Sequence, residues 1–229
     1  MLRLKTSRKA SWPKCTLSPD GRYGVTVPVL GEHEDSENPK NSVIELKTGR
    51  TIAVIKTRFT GWNRMSHSDV LPCRWSSDGS LLLWEVDGKW FRDAVVLLKF
   101  KDGALEWQRD ITAIAEAECL KRTKGAAPDA YARAKKANAG NGEAYPEGYS
   151  IQVDVFEPIA FPLHVRATLT ADPKGTGLIP KLESYLTGTL NQTGQFVVMD
   201  FRVGSGYWRK FVENRSPVEP CNFKELYEH

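Results

Sequence analysis

The residues best suited to contact a partner follow a glycine-rich turn near the C-terminus. Gly204-Ser205-Gly206 precedes the segment Tyr207-Trp208-Arg209-Lys210-Phe211. Such a turn can project from a sheet, aromatic side chains give rigid contact area, and cations steer an acidic partner. The alternative is that these aromatic residues fill the core beside an edge strand. We predict a binding site that comprises Ser205, Tyr207, Trp208, Arg209 and Lys210.

Histidines next to carboxylates form a second group of candidates. Glu32-His33-Glu34-Asp35 could supply oxygen and imidazole ligands to a divalent cation, or could be an ordinary charged loop. His67 and Asp69 could form a general-base pair, but no nucleophile is near them in the sequence. The sequence has no GxSxG, HExxH, Walker or GxGxxG pattern. We therefore expect no metal or other cofactor, and we favour a binding protein over an enzyme.

Composition and charge restrict the class of protein. The 229 residues are 41% hydrophobic and 26% charged, which is typical of a globular chain. The net charge of +4 lacks the dense basic stripe of a nucleic-acid binder, so we expect no nucleic-acid partner. No apolar run approaches the ~18 residues of a membrane span, and the N-terminal residues lack the apolar core of a secretory signal. The chain is then either cytoplasmic, or exported with a signal that lies outside it.

Turn residues divide the first half of the chain into short strands. Asp-Gly or Thr-Gly pairs recur at 20–21, 48–49, 78–79, 87–88 and 102–103, and such pairs accept the positive φ angles of hairpin turns. The continuously apolar Val95–Leu98 predicts a strand buried on both faces. An antiparallel meander is predicted, with strands over Tyr23–Val29, Ser42–Leu46, Thr51–Lys56, Leu81–Val86, Ala94–Phe100 and Ala104–Gln108.

Residues 110–139 predict a short helical insert. Asp110 is placed to cap a helix that starts at Ile111 and ends at Gly125, and Pro128 suits the first turn of a second helix. Beyond a glycine-rich loop, alternating apolar residues predict further strands over residues 151–155, 163–169, 185–190 and 195–203.

An internal repeat lies within the meander. Cys15-Thr-Leu-Ser-Pro-Asp-Gly21 is matched by Cys73-Arg-Trp-Ser-Ser-Asp-Gly79. Both turns resemble the SPDG turn of TolB-like and WD40-like β-propeller repeats, and Val43–Gly49 resembles the later strands of a blade. The resemblance covers residues 12–110 and implies blade-like antiparallel units. Two copies fall short of a closed propeller, so we predict open or sandwich-like sheets.

The repeat also bears on the cysteines. The sequence contains Cys15, Cys73, Cys119 and Cys221, which permit two disulfides. Cys15 and Cys73 hold equivalent positions in the two repeats, so we rank this pair ahead of any other as a disulfide. Bridging them requires a Cα separation of roughly 4.4–6.8 Å.

A second resemblance concerns the candidate binding segment. Ser205-Gly206-Tyr207 resembles the short Ser-Gly-x-Tyr inhibitory loops of bacterial periplasmic lysozyme inhibitors, which are β-sandwich proteins. The resemblance covers three residues. It implies an inhibitor that acts in the periplasm or outside the cell.

These observations predict a mainly β protein with antiparallel meander and sandwich-like sheets. We predict a β meander over 1–110, a helical insert over 111–139 and a second β region over 140–229 that packs with the first. The predicted function is a non-enzymatic binding or inhibitor module for a protein or glycan, bacterial and periplasmic or secreted. A hydrolase that uses Glu34, His67 and Asp69 and a self-assembling structural subunit are the alternatives, and the oligomeric state stays open.

Overall fold

The computed structural model describes residues 14–27, 40–57, 60–61, 69–88, 92–138, 149–171 and 181–204. Its strands are β1 (Tyr23–Val25), β2 (Ser42–Glu45), β3 (Arg50–Val54), β4 (Asp69–Val70), β5 (Arg74–Trp75), β6 (Leu81–Asp87), β7 (Arg92–Lys101), β8 (Ala104–Asp110), β9 (Ser150–Val155), β10 (Leu163–Thr170), β11 (Glu183–Leu190) and β12 (Phe196–Val203). Its helices are α1 (Ile111–Ala126) and α2 (Pro128–Ala137), and a 3-10 turn covers Lys14–Thr16.

The strands form three antiparallel sheets. The N-terminal sheet has the order β1-β2-β3, the central sheet has the order β4-β6-β7-β8 with β5 also paired to β6, and the C-terminal sheet has the order β12-β11-β10-β9. The mainly β, antiparallel fold is therefore confirmed. Within the described residues the sheets form neither a closed barrel nor a complete propeller.

The central sheet is buried on both of its faces. Leu82, Trp84 and Val86 belong to an N-terminal core that also includes Val25 and Val43 of the N-terminal sheet. The alternate residues Leu81 and Leu83 belong to a C-terminal core that they share with α1 and the C-terminal sheet. Side chains alternate across a strand, so β6 and β7 supply one face to each core. The prediction that Val95–Leu98 is buried on both faces is confirmed.

Two neighbouring residues of β8 connect the central sheet to the other two sheets. Gln108 accepts a hydrogen bond from the Lys56 backbone N–H at 2.9 Å and donates one to the Val54 carbonyl at 3.1 Å, as a strand partner would. Arg109 donates through Nε to the Gly194 carbonyl at 3.3 Å, in the hairpin turn between β11 and β12. Gly194 has a φ of +76°, a conformation that favours glycine, and a Cβ there would lie 2.9 Å from that Nε.

The two repeats form turns that are held by equivalent hydrogen bonds. Ser18 Oγ donates to Asp20 Oδ1 at 2.6 Å, and Ser76 Oγ donates to Asp78 Oδ1 at the same distance. In each copy the serine Oγ also accepts the backbone N–H five residues later, at 2.9 Å from Tyr23 and 2.8 Å from Leu81. The glycine that follows each aspartate has φ of +65° in the first copy and +70° in the second. The sequence repeat is thus a structural repeat.

The two copies lie side by side, but their cysteines do not pair. An aromatic cluster connects them, with ring centroids 6.1 Å apart for Tyr23 and Trp75 and 5.9 Å apart for Trp75 and Phe100. Cys15 is disulfide-bonded, whereas Cys73 is a free thiol. The predicted disulfide between Cys15 and Cys73 is therefore wrong: a backbone hydrogen bond of 2.7 Å connects the two residues, but the Cys73 thiol is free and Cys15 is bridged elsewhere.

The helical insert begins where the sequence predicts. Asp110 is extended at φ −77° and ψ 99°, and its carboxylate accepts the Ala113 N–H at 3.0 Å, as an N-cap does. Helix α1 continues one residue past the predicted end, to Ala126. Its buried residues are spaced at helical intervals and face the C-terminal core: Ile111, Ala115 and Cys119.

The two shortest strands of the central sheet, β4 and β5, were not predicted. Each has two residues and pairs with β6. Among the described residues, neither helix has the length and apolar character that a membrane crossing requires.

Candidate functional site

Strand β12 positions the start of the predicted binding segment. Among the described residues it is an edge strand of the C-terminal sheet, and its last pairing is between Val203 and Ser184. Gly204 follows with a φ of +141°, and its N–H donates to the Glu183 carbonyl at 3.0 Å. Only glycine adopts such a φ readily, so the chain leaves the sheet at a defined corner. The predicted site residues come next and lie outside the described residues: Ser205, Tyr207, Trp208, Arg209 and Lys210.

Exposed apolar side chains concentrate on the same strand. Val197, Met199 and Val203 are 44%, 67% and 37% exposed, and only Val54 and Phe156 join them as exposed large hydrophobic residues of the described chain. The other β12 side chains Phe196, Val198 and Phe201 pack against the C-terminal core. Phe196, Val198 and Phe201 therefore anchor the strand, and the exposed side chains of β12 are three apolar residues and the ion pair of Arg202 with Asp200. Sequence reasoning missed this surface because alternation alone does not show which strand lies at an edge.

The C-terminal sheet contains a buried pair of opposite charges. Arg166 on β10 is directly opposite Asp154 on β9, and its Nη2 lies 2.8 Å from Asp154 Oδ2. Both residues are buried, and the guanidinium lies 5.2 Å from the ring centroid of Phe156. Burial lowers the pKa of the Arg166 guanidinium, because removal from water disfavours its charged form.

The charge of Arg166 also acts on the phenol of Tyr185 on β11. Its pKa is raised, first by burial and then by the charge of Asp200, while Arg166 and Arg202 act in the opposite direction. Arg202 Nε donates to Asp200 Oδ2 at 2.9 Å on the neighbouring strand β12. The phenol therefore stays protonated at neutral pH, and the charges are matched by opposite neighbours.

A second buried ion pair holds two sheets together. Arg74 Nη2 lies 2.8 Å from Glu85 Oε2, and Glu85 is 1% exposed. Arg74 also donates to the Val155 carbonyl at 3.3 Å and to Glu157 at 3.0 Å, beyond the end of β9. Burial lowers the pKa of Arg74, and Glu157 opposes that shift. The contacts join the central sheet to the C-terminal sheet, which is a structural role.

The alternative candidate residues lie wholly or partly outside the described residues. Glu32–Asp35 and His67 lie outside the described residues, and Asp69 is described only by its backbone, at the start of β4. Within the described ranges, no group of three or more His, Cys, Asp or Glu residues could hold a metal ion. Trp84 is fully buried, and Trp75 and Trp107 pack against the two cores.

The free cysteines are packing residues. Cys73 is half-buried, and burial raises the pKa of its thiol to about 12. Cys119 on α1 is also buried, which raises its thiol pKa, and its Sγ lies 3.6 Å from Ser184 Oγ. The nucleophilic form of cysteine is the thiolate, so these pKa shifts make both residues poor nucleophiles.

Comparisons of this chain with protein-family models, with curated proteins and with solved structures give no match.

Proposed function

We propose that the protein is a non-enzymatic binding module whose contact surface comprises β12 and the segment that follows it, with Ser205, Tyr207, Trp208, Arg209 and Lys210. One observation carries the proposal: the exposed apolar residues Val197, Met199 and Val203 lie on the strand that leads into this segment. Exposed apolar side chains that are grouped on one strand can mark a binding site.

The chemistry of the segment favours an acidic partner. Trp, Tyr and Arg dominate the energetics of protein interfaces, because they bury large areas and form directional contacts. Arg209 and Lys210 add positive charge next to the aromatic pair. An anionic glycan or an acidic cleft of another protein fits this combination, and the latter agrees with the resemblance to periplasmic lysozyme inhibitors.

The disulfide state of Cys15 supports a periplasmic or secreted location for this module. Structural disulfides persist in oxidising compartments and are rare in the cytosol. We place the protein outside the cytoplasm of a bacterium.

A binding screen with charge variants tests the proposal. Heparin, an array of anionic and neutral glycans, and a set of lysozymes are offered to the wild-type protein and to the double variant Arg209→Glu/Lys210→Glu. We expect binding of an acidic member of the set, or inhibition of a lysozyme, that weakens with added salt and is lost in the variant.

The matched control is Lys135→Glu/Lys136→Glu, which reverses two exposed cations on helix α2, away from β12. It should bind as the wild type does. Equal loss of binding in both variants would show that only net charge matters, and would contradict the assignment of this surface.

A further inference from the structure

The states of three cysteines identify the disulfide partner of Cys15. The sequence contains four cysteines, of which Cys15 is disulfide-bonded and Cys73 and Cys119 are free thiols. Within one chain, only Cys221 is left to bridge Cys15. Two thiols lose two protons and two electrons when they form a disulfide, and a disulfide oxidant that takes them up by thiol–disulfide exchange becomes two thiols.

The two points that this bridge would connect lie at opposite corners of the C-terminal sheet. At one corner, Gly204 ends the pairing of β12 with β11. At the other, Arg74 Nη1 donates to the Val155 carbonyl at the end of β9. Arg74 follows Cys73, whose N–H donates to the Cys15 carbonyl. Because β12 and β9 are the outer strands of this sheet, the chain after Gly204 must pass from one corner to the other to reach Cys15.

The length of the chain after Gly204 is sufficient for this passage. The sheet is four strands wide, about 14 Å at the usual strand spacing, and about 20 Å long, so its diagonal is about 25 Å. Residues 211–220, called here the crossing segment, reach about 33 Å when extended. The crossing therefore does not require Ser205–Lys210, which precede it.

Burial on one face of the sheet indicates the route. Tyr185 on β11, Arg166 on β10 and Asp154 on β9 alternate with the residues of the C-terminal core, so they lie on the other face, called here the outer face. Helix α1 and strand β7 contact the sheet through the core, yet all three outer-face residues are buried. They lie along the diagonal between the two corners, whereas Val197 and His164, away from it, are exposed.

The composition of the crossing segment suits an extended chain on this face. Pro217 and Pro220 fix φ near −65°, which favours extended backbone over helix. Glu213 and Glu219 carry charge opposite to that of Arg166.

From these observations we propose that Cys221 is the disulfide partner of Cys15, and that the crossing segment packs diagonally over the outer face of the C-terminal sheet between β12 and β9. The bridge attaches the C-terminal part of the chain to the first repeat. The inference does not rest on the proposed function, because Ser205–Lys210 lie before the crossing segment.

Peptide mapping tests the disulfide. Protein equilibrated in a glutathione redox buffer is alkylated and digested without a reductant. We expect a disulfide-linked peptide that contains Cys15 and Cys221, from a chain that migrates as a monomer on a non-reducing gel. Recovery of Cys221 as an alkylated thiol, or of a dimer linked through it, would overturn the proposal.

Photo-crosslinking tests the route separately. The variant Thr168→p-benzoylphenylalanine places a photoreactive side chain on the outer face, opposite Tyr185 in the strand register. After irradiation we expect an intramolecular crosslink to a peptide of the crossing segment. The matched control is Val197→p-benzoylphenylalanine, at the exposed corner, which should not give this crosslink. Crosslinks from position 168 to residues 139–148 or 172–180, or to a second copy, would overturn the proposed route.

Discussion

The backbone N–H of Cys73 donates a hydrogen bond to the carbonyl oxygen of Cys15 at 2.7 Å. The two residues start the two sequence repeats, so this bond sets one repeat directly beside the other. The aromatic cluster of Tyr23, Trp75 and Phe100 then packs between the turns that follow. The N-terminal half therefore contains two structural repeats that are joined at their first residues.

The structure predicts the chemical state of three of the four cysteines. Peptide mapping under non-reducing conditions should find Cys15 in a disulfide and Cys73 and Cys119 as thiols. The pKa of Cys73 is raised to about 12 by burial, so native protein at pH 8 should react with iodoacetamide at Cys73 far more slowly than denatured protein does. Recovery of a peptide that links Cys15 to Cys73 would contradict the assignment.

The turn aspartates should contribute to the acid stability of the fold. Hydrogen bonds from Ser76 and Ser80 lower the pKa of Asp78, and bonds from Ser18 and Arg22 lower the pKa of Asp20. A carboxylate with a depressed folded-state pKa adds stability above its unfolded pKa, which is lost as the pH falls through the folded value. The loss therefore lies below the ordinary value of 3.8 for both groups.

The measurement is urea denaturation of Asp20→Asn and Asp78→Asn at pH 7 and at pH 3. Each variant should lose about 1 kcal/mol at pH 7, and the difference from the wild type should shrink at pH 3. Asp102→Asn serves as the control, because Asp102 is in a hairpin turn at φ 51° and asparagine also accepts positive φ. A pH-independent loss in both repeat variants would exclude the ionised carboxylates as its cause.

The ion pair between Arg74 and Glu85 should behave as a buried pair. Arg74→Met removes the Arg74 cation from the buried Glu85 carboxylate, and should cost about 3–5 kcal/mol of unfolding free energy. Adding Glu85→Leu should recover much of that loss, because the buried carboxylate is then removed as well. Urea denaturation of the two single variants and the double variant provides the cycle. If the double variant is no more stable than Arg74→Met, the buried Glu85 carboxylate is not the cause of the lost stability.

Local chemistry explains which features the sequence predicts well. The Asp-Gly turns depend on φ preference and on hydrogen bonds that span five residues, and the structure has them in both repeats. Asp110 as an N-cap is also a local relationship. Features that depend on residues distant in sequence could not be predicted from local patterns. Strands β4 and β5 have two residues each and form by pairing with β6. Arg166 contacts Asp154 because the register of β9 and β10 places them opposite each other.

The candidate site also combines features that are local in sequence with features that depend on the order of strands in the sheet. The glycine-rich turn and the aromatic and basic segment are visible in the sequence, and Gly204 adopts a conformation that favours glycine. That β12 is an edge strand is a property of the sheet order, in which β11 lies between β12 and β10. The exposed apolar residues next to the segment could be recognised only after that order was known.

The most direct test of the binding account is the double variant Tyr207→Ala/Trp208→Ala, measured for partner binding and for thermal stability together. If the two aromatic residues form the contact surface, partner binding or inhibition is lost and the melting temperature stays within a few degrees of the wild type. Phe156→Ala is the matched control, because it removes an exposed aromatic residue just beyond β9, the opposite edge strand of the same sheet, and should leave binding intact. If the residues are core, their removal costs about 3–5 kcal/mol per large aromatic side chain. A large drop in melting temperature would therefore contradict the account.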